Sequence, residues 1–108
     1  MYFTHADEVW AEHPNLRALA LTAGGLTSAR TDEAQLTELA ERIDRRQNQM
    51  AEAGVSEIAA WRQTFSRMGL KPTQYRCAAE ALLRRYRKDK SLPRFHPAVD
   101  YLNHVSMA

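Results

Sequence analysis

The apolar residues in the first half of this chain recur at helical spacing. Thr31 suits the N-cap of a helix with acids in its first turn, and Gly54 is expected to end that helix. Its inner face is predicted to hold Leu36, Leu39, Ala40, Ile43 and Met50. A second helix is predicted from near Ser56 to Gly69, with a core face of Ile58, Trp61, Phe65 and Met68.

Two more helices are predicted in the second half. Pro72 opens or immediately precedes a third helix, whose inner arc holds Ala78, Ala79, Leu82, Leu83 and Tyr86. This helix should end by Pro93, because the residue before a proline avoids the helical region. Pro97 suits the first turn of a last helix through about Val105, with an inner face of Val99, Leu102 and Val105 or Met107.

Residues 16–23 form an apolar run that follows a proline and stops at Gly24. The length of the run and its glycine stop favour a mostly buried strand. Its alanine and leucine content also permits a helix. The strand is the interpretation we carry forward.

Composition limits the class of protein. With 108 residues, of which 44% are hydrophobic, the chain forms one domain at most, with a small core. Its one cysteine, Cys77, excludes an internal disulfide and suits a reducing cytosol. No apolar run approaches the roughly 18 residues of a membrane span, and residues 1–5 lack a signal-peptide pattern. Cytoplasm is the expected compartment.

A net charge of only +2 hides a strongly polarised chain. Residues 61–103 hold ten of the 15 Lys and Arg, whereas residues 1–60 hold five of them and ten of the 13 acids. A basic half of this kind is typical of a protein that meets a polyanion, because Lys and Arg displace counterions from phosphate backbones. The alternative is an ordinary solvated helix surface.

The outer face of the third helix is where this basic character is expected to be displayed. That face is predicted to carry Arg76, Glu80, Arg84, Arg87 and Lys88. Since Arg76, Glu80 and Arg84 are spaced four apart, the acid can bridge both guanidinium groups and fix their geometry.

Residues that carry catalytic chemistry are sparse. The four histidines have no helical i, i+4 pair, so neither a metal site nor a cofactor is expected. His96 suits either an acid or base role or an ordinary loop position. Cys77 beside Arg76 suits either a stabilised thiolate or a half-buried position at a helix start. Glu80 and Asp100 are each flanked by arginines, which indicates structural ion pairs.

Aromatic residues offer a further binding mode, since exposed rings stack on bases. Trp61 and Tyr86 lie on apolar faces and are expected in the core, which leaves Tyr75 as the open case.

Over residues 56–107 the chain resembles a known domain, and the resemblance extends more weakly through 16–23 and 32–52. The residues that carry it are Trp61-Arg62, Gly69-x-Lys71-Pro72-x-x-Tyr75-Arg76, Glu80-Ala81-Leu82-Leu83-Arg84-Arg85, Leu92-Pro93-Arg94, Pro97, Val99-Asp100 and Asn103 with Ser106. They are similar to the tRNA-binding and editing domain, called B3/B4, of the bacterial phenylalanyl-tRNA synthetase β subunit, and to its free-standing relatives.

This resemblance implies an α/β (α+β) fold, with helices packed on a short sheet, and binding of tRNA or aminoacyl-tRNA. In the synthetase the domain hydrolyses tyrosine misattached to the phenylalanine tRNA, so removal of misattached amino acids is implied for the complete domain. The residues implied to meet RNA are Lys71, Tyr75, Arg76, Arg84, Arg85 and Arg94. Those implied at the edge of the editing pocket are His96, Asp100 and Asn103.

The chain also departs from that family. Cys77 stands where the free-standing relatives usually have serine, and His96 where they usually have asparagine. Residues 1–108 correspond to the N-terminal half, so most of the editing pocket is not expected in this chain. Uncovered apolar faces would then favour a second copy or the missing C-terminal half as partner. The alternative function is a non-catalytic RNA-binding or protein-interaction module.

Overall fold

The elements of secondary structure in the computed structural model, which describes residues 2–108, are all helical. They are α1 (Asp7–Glu12), α2 (Glu33–Gln49), α3 (Ser56–Arg67), α4 (Ala78–Asp89) and α5 (Pro97–Met107), with 3-10 turns at Leu26–Ser28 and Glu52–Gly54. Because residues 2–108 contain no β-strand, the expected α/β fold with a short sheet is wrong.

The segment 16–23 is neither a strand nor a helix. Leu19 and Leu21 are 83% and 79% exposed. Between Arg17 and Gly24, within the described part of the chain, no backbone N–H donates to another backbone group. An apolar run becomes a strand only where a neighbouring strand pairs with it, and this segment has no such neighbour.

α2 begins one residue later than the sequence indicates and ends earlier. The Asp32 carboxylate, rather than Thr31, caps the helix by accepting the Gln35 N–H at 3.1 Å. The helix stops at Gln49, before a separate 3-10 turn that contains Gly54. Met50, expected on the inner face, is therefore 46% exposed.

The core lies between α2, α3, α4 and α5, beside the 3-10 turn at 52–54. α5 packs against α2 and α4, and the turn packs against α3 and α4. The buried apolar side chains of this core are Ile43, Val55, Ile58, Leu83, Tyr86 and Met107. Gln47 on α2 donates to the Leu83 carbonyl at 2.8 Å, so a polar contact also joins α2 to α4.

α5 is rotated relative to the sequence expectation. Its buried residues are Asp100, His104 and Met107. Val99, Leu102 and Val105, predicted to face inward, are 45%, 56% and 45% exposed. Asp100 is held near the preceding segment by the hydrogen bond that its carboxylate accepts from the Phe95 N–H.

Residues with positive φ end α3 and α4. Gly69 has φ of 78°, and the Leu70 N–H then reaches the Phe65 carbonyl at 2.9 Å, as the sequence predicts for a glycine stop. The third predicted helix does not start at Pro72, because 72–75 form a turn and α4 begins at Ala78. At its other end Lys90 adopts φ of 57°, a left-handed conformation that is unusual for a lysine.

The arrangement is flat and open. Its radius of gyration is 15.9 Å and its dimensions are 41 × 38 × 20 Å. A compact domain of this length would have a radius of gyration of about 13 Å. Much apolar surface consequently stays in contact with solvent. Among residues 2–108, none of the helices has both the length and the apolar character that crossing a membrane requires.

Truncating the central side chain of this core should be costly. Ile43 is 0% exposed, and Ile43→Ala is expected to lower the free energy of unfolding by about 3 kcal/mol through lost burial and a residual cavity. Urea titration followed by far-UV circular dichroism measures the change. Leu19→Ala is the matched control, with an expected change within about 0.5 kcal/mol. Equal losses for the two variants would contradict this assignment of the core.

Candidate nucleic-acid interface

The outer side of α4 displays a row of cations. Arg84, Arg85 and Lys88 are all exposed and, at spacings of one, three and four residues, share one side of the helix. We call these three residues the α4 basic face. Arg84 and Lys88 have no carboxylate within 4.0 Å among residues 2–108, and Arg85 meets Asp89 only loosely, at 3.8 Å.

Glu80 does not belong to this outer face, although the sequence suggested that it would. It is 1% exposed and lies on the inner side of α4. Its Oε1 is 2.7 Å from Nη1 of Arg62 and 3.5 Å from Nε of Arg76. The expected bridge from Glu80 to Arg84 is therefore wrong, and Arg62 takes the place of Arg84.

Arg62 was not predicted to take part in this contact. It lies four residues after the buried Ile58 and therefore on the same side of α3. The inward face of α3 thus includes a charged residue. Its Nη1 also donates to the Pro72 carbonyl at 3.4 Å. Glu80 and Arg62 thus tie α4, α3 and the turn at 72–75 together, and we call this group, with Arg76, the Glu80 clamp.

The clamp also explains the position of Trp61. Because Arg62 and Ile58 point toward the core, the neighbouring residue Trp61 is turned away by about 100°. Trp61 and Met68, expected in the core, are 47% and 56% exposed, and Phe65 is half-buried.

Other cations predicted to face RNA or solvent are engaged by acids from the first half of the chain. The Arg94 guanidinium makes a paired contact with the Glu33 carboxylate, at 3.3 and 3.2 Å. The Arg87 Nε lies 2.6 Å from Oε1 of the buried Glu52. These contacts join α4 and the 91–96 segment to the acidic half of the chain.

Lys71 and Tyr75 lie in the turn between α3 and α4. The Lys71 carbonyl accepts the N–H groups of Gln74 and Tyr75, both at 2.9 Å, which closes the turn. Both side chains are exposed, Tyr75 by 51%, and Lys71 has no carboxylate within 4.0 Å among residues 2–108. The turn therefore presents one cation and one aromatic ring next to the start of α4.

Two of the three residues assigned to a pocket edge, His96 and Asp100, accept backbone N–H groups around the start of α5. Asp100 is buried and accepts the Phe95 N–H at 2.9 Å, without an arginine partner among the described residues, so the ion pair expected from its flanking arginines is wrong. His96 accepts the Ala98 N–H through Nδ1 at 3.2 Å. The Asp100 carbonyl lies 2.7 Å from Nδ1 of the buried His104, which must donate because a carbonyl only accepts. Asn103 is half-buried.

Two shallow clefts lie beside α5. One, of about 220 Å³, lies between the starts of α2 and α5 and includes Asp32, Pro97 and Tyr101. The other, of about 180 Å³, includes Tyr86, Arg94 and His104. Both are smaller than the roughly 300–1,000 Å³ of typical small-molecule sites. Nor do residues 2–108 contain a cluster of three or more His, Cys, Asp or Glu side chains arranged to hold a metal ion.

Among residues 2–108, the pKa values of Tyr86 in the core and of Glu57 on the surface are displaced. Burial raises the pKa of the Tyr86 hydroxyl above its ordinary 10.0, and the Asp44 carboxylate acts in the same direction. The pKa of Glu57 lies below its ordinary value because its own backbone N–H bonds the carboxylate, with Ser56 and Arg46 adding to the effect. Tyr86 thus stays neutral in the core, and Glu57 stays ionised beside Arg46.

Comparison with known proteins leaves these surfaces without a family assignment. The chain matches no protein family, no curated protein and no solved structure with which it was compared. Its similarity to the B3/B4 domain thus rests on the residues quoted above, and no sheet accompanies it among residues 2–108.

Removing the charge of Glu80 should destabilise the fold. Glu80→Gln keeps the size of the side chain but leaves two guanidinium groups, each about a quarter exposed, without a counterion. Breaking a fully buried pair costs about 3–5 kcal/mol, and partial exposure should reduce the cost here to about 2 kcal/mol. Urea denaturation measures it.

The same substitution at Glu57 is the matched control. Glu57 pairs with Arg46 at 3.3 Å on an exposed surface, so Glu57→Gln should cost less than about 1 kcal/mol. If the Gln variants at 80 and 57 were equally stable, the Glu80 clamp would not be a principal support of the fold.

Proposed function

We propose that this chain binds RNA, with tRNA as the expected class, through the α4 basic face and the neighbouring turn at Lys71. Arg84 and Lys88 are exposed, and neither has an acidic partner among residues 2–108. The proposal rests on this observation. Acidic partners are present for Arg62, Arg76, Arg87 and Arg94. Cations without partners are the ones free to exchange their counterions for phosphates.

The rigid attachment of this surface supports the proposal. Three of its cations stand on a single helix, and the Glu80 clamp holds the start of that helix against α3. Because the backbone positions of these cations are fixed, only their side chains have to be ordered when phosphates bind. The interface is therefore suited to phosphate contacts, which fix position without reading base sequence.

The choice of tRNA comes from the resemblance to the B3/B4 domain, and it implies a cytoplasmic location. We limit the proposal to binding. One atom of each of two groups assigned to the pocket edge, Nδ1 of His96 and Oδ1 of Asp100, accepts a backbone N–H. An atom engaged in this way is not free to take a proton from water.

Salt dependence tests the proposal. Arg84→Ala combined with Lys88→Ala should weaken tRNA binding and reduce the slope of log K against log salt by about two, one for each lost phosphate contact. Filter binding or fluorescence anisotropy across a salt series measures the slope.

A double substitution on α2, Arg42→Ala with Arg45→Ala, is the control. It removes the same charge from exposed and unpaired positions, and it should leave the slope nearly unchanged. If both double variants lowered the slope equally, net charge rather than the α4 basic face would govern binding.

A second candidate function, association with a second copy of the chain, is favoured by α5. The outer side of α5, together with a residue two positions before the helix, exposes Phe95, Val99, Leu102 and Val105, at 72%, 45%, 56% and 45%. None of them is charged, so two copies can bring these faces together without opposing like charges. We call these four residues the α5 apolar face.

Charge substitution tests the association. Val99→Asp with Leu102→Asp should abolish any dimer seen by sedimentation velocity, because buried carboxylates without partners are strongly disfavoured. Ala53→Asp with Ala60→Asp introduces the same charge at exposed positions elsewhere and should leave the dimer intact. A wild-type chain that stays monomeric up to the highest attainable concentration would reject the candidate.

A further inference from the structure

A second exposed apolar feature lies on α3. Trp61, Phe65 and Met68 follow one another at spacings of four and three residues, on one side of the helix and its end. Trp61 is 47% and Met68 56% exposed. The rings of Trp61 and Phe65 lie 5.8 Å apart between centroids, with their planes inclined at 39°. We call these three residues the α3 aromatic stripe.

The charges around this stripe are uneven. Arg67 and Lys71 flank its Met68 end, and both are exposed with no carboxylate within 4.0 Å among residues 2–108. At the opposite end Glu57, one turn before Trp61, is neutralised by Arg46 at 3.3 Å. The stripe thus has an exposed indole at one end and unpaired cations at the other, and no uncompensated acid adjoins it along the helix.

This combination discriminates between two kinds of occupant. If an apolar protein surface covered the stripe, Arg67 and Lys71 would lie at the rim of the contact. No acid of this chain would pair with them there. A nucleotide offers both partners together, since its base stacks on an aromatic ring and its phosphate meets a cation.

We infer that the α3 aromatic stripe binds unpaired RNA nucleotides, with a base stacked on Trp61 and the adjoining phosphates near Arg67 and Lys71. Bases within a duplex already stack on their neighbours, so the ligand is a single-stranded end or loop. The inference rests on the proposed RNA binding and adds to it a site that selects unpaired residues. Phosphate contacts on α4 would then position the RNA, while α3 takes up its unpaired part.

Tryptophan fluorescence provides the test, because the chain has only two tryptophans. In a Trp10→Phe background, Trp61 is the single reporter. An oligouridylate of about 15 nucleotides should quench its emission, whereas an RNA duplex of the same length should bind without quenching. Trp61→Leu, which keeps an apolar side chain but removes the stacking surface, should weaken oligouridylate binding about tenfold and duplex binding less than twofold.

Three results would overturn the inference. One is oligouridylate binding without quenching, and another is equal loss of single-stranded and duplex binding in Trp61→Leu. The third is a concentration-dependent shift of Trp61 emission in the absence of RNA, which would show that a second copy covers the stripe. If the Arg84 and Lys88 double variant still reduces tRNA binding in any of these cases, the proposed RNA binding by α4 is retained and only the α3 site is rejected. Absence of tRNA binding to the wild-type chain would reject both.

Discussion

The contact between Glu80 and Arg62 is the interaction on which both proposed RNA surfaces depend. A carboxylate buried to this extent is tolerated only with cationic and hydrogen-bonding partners, so α3 must present Arg62 inward and α4 must present Glu80 inward. With Leu83 and Tyr86 also buried on α4, Arg84 and Lys88 are directed to solvent on that helix, and Trp61 is directed to solvent on α3. The same contact reaches the Pro72 carbonyl and thereby holds the intervening turn. This ion pair and the buried apolar residues of the two helices together set which side chains are available to a ligand.

The sequence predicted the helices better than their orientation. The helical segments near Ser56 and Pro97, and the glycine stop at Gly69, follow from local signals that act within a few residues. The inward faces were harder, because the patterns assume that apolar residues occupy the interior. Glu80, Asp100 and His104 take interior positions through contacts with residues distant along the chain or with neighbouring backbone. The spacing of apolar residues does not reveal such contacts. The missing sheet has a similar cause, since a strand at 16–23 would require a pairing partner that local sequence does not specify.

The candidate site was predictable in outline only. The basic character of residues 61–103 follows from composition, and the exposure of Lys71, Arg84 and Arg85 agrees with it. Composition does not show which cations are already neutralised. Glu33 and Glu52, both from the acidic half, engage Arg94 and Arg87 across sequence separations of 61 and 35 residues. The acidic half therefore does more than balance the net charge, because it divides the cations into those that stabilise the fold and those that remain free for a polyanion.

The left-handed Lys90 at the end of α4 also shapes the electrostatic field of that helix. A residue with a Cβ in this conformation costs about 1 kcal/mol relative to glycine. Its ammonium group sits at the C-terminal end of α4, where the helix dipole carries partial negative charge, and the dipole offsets part of its potential. At the other end the partial positive charge adds to that of Lys71, whereas Arg76 is already paired with Glu80. The dipole therefore opposes the exposed cations, which lie in the second half of α4, and reinforces Lys71 beside its start, so it evens out the positive potential along the helix.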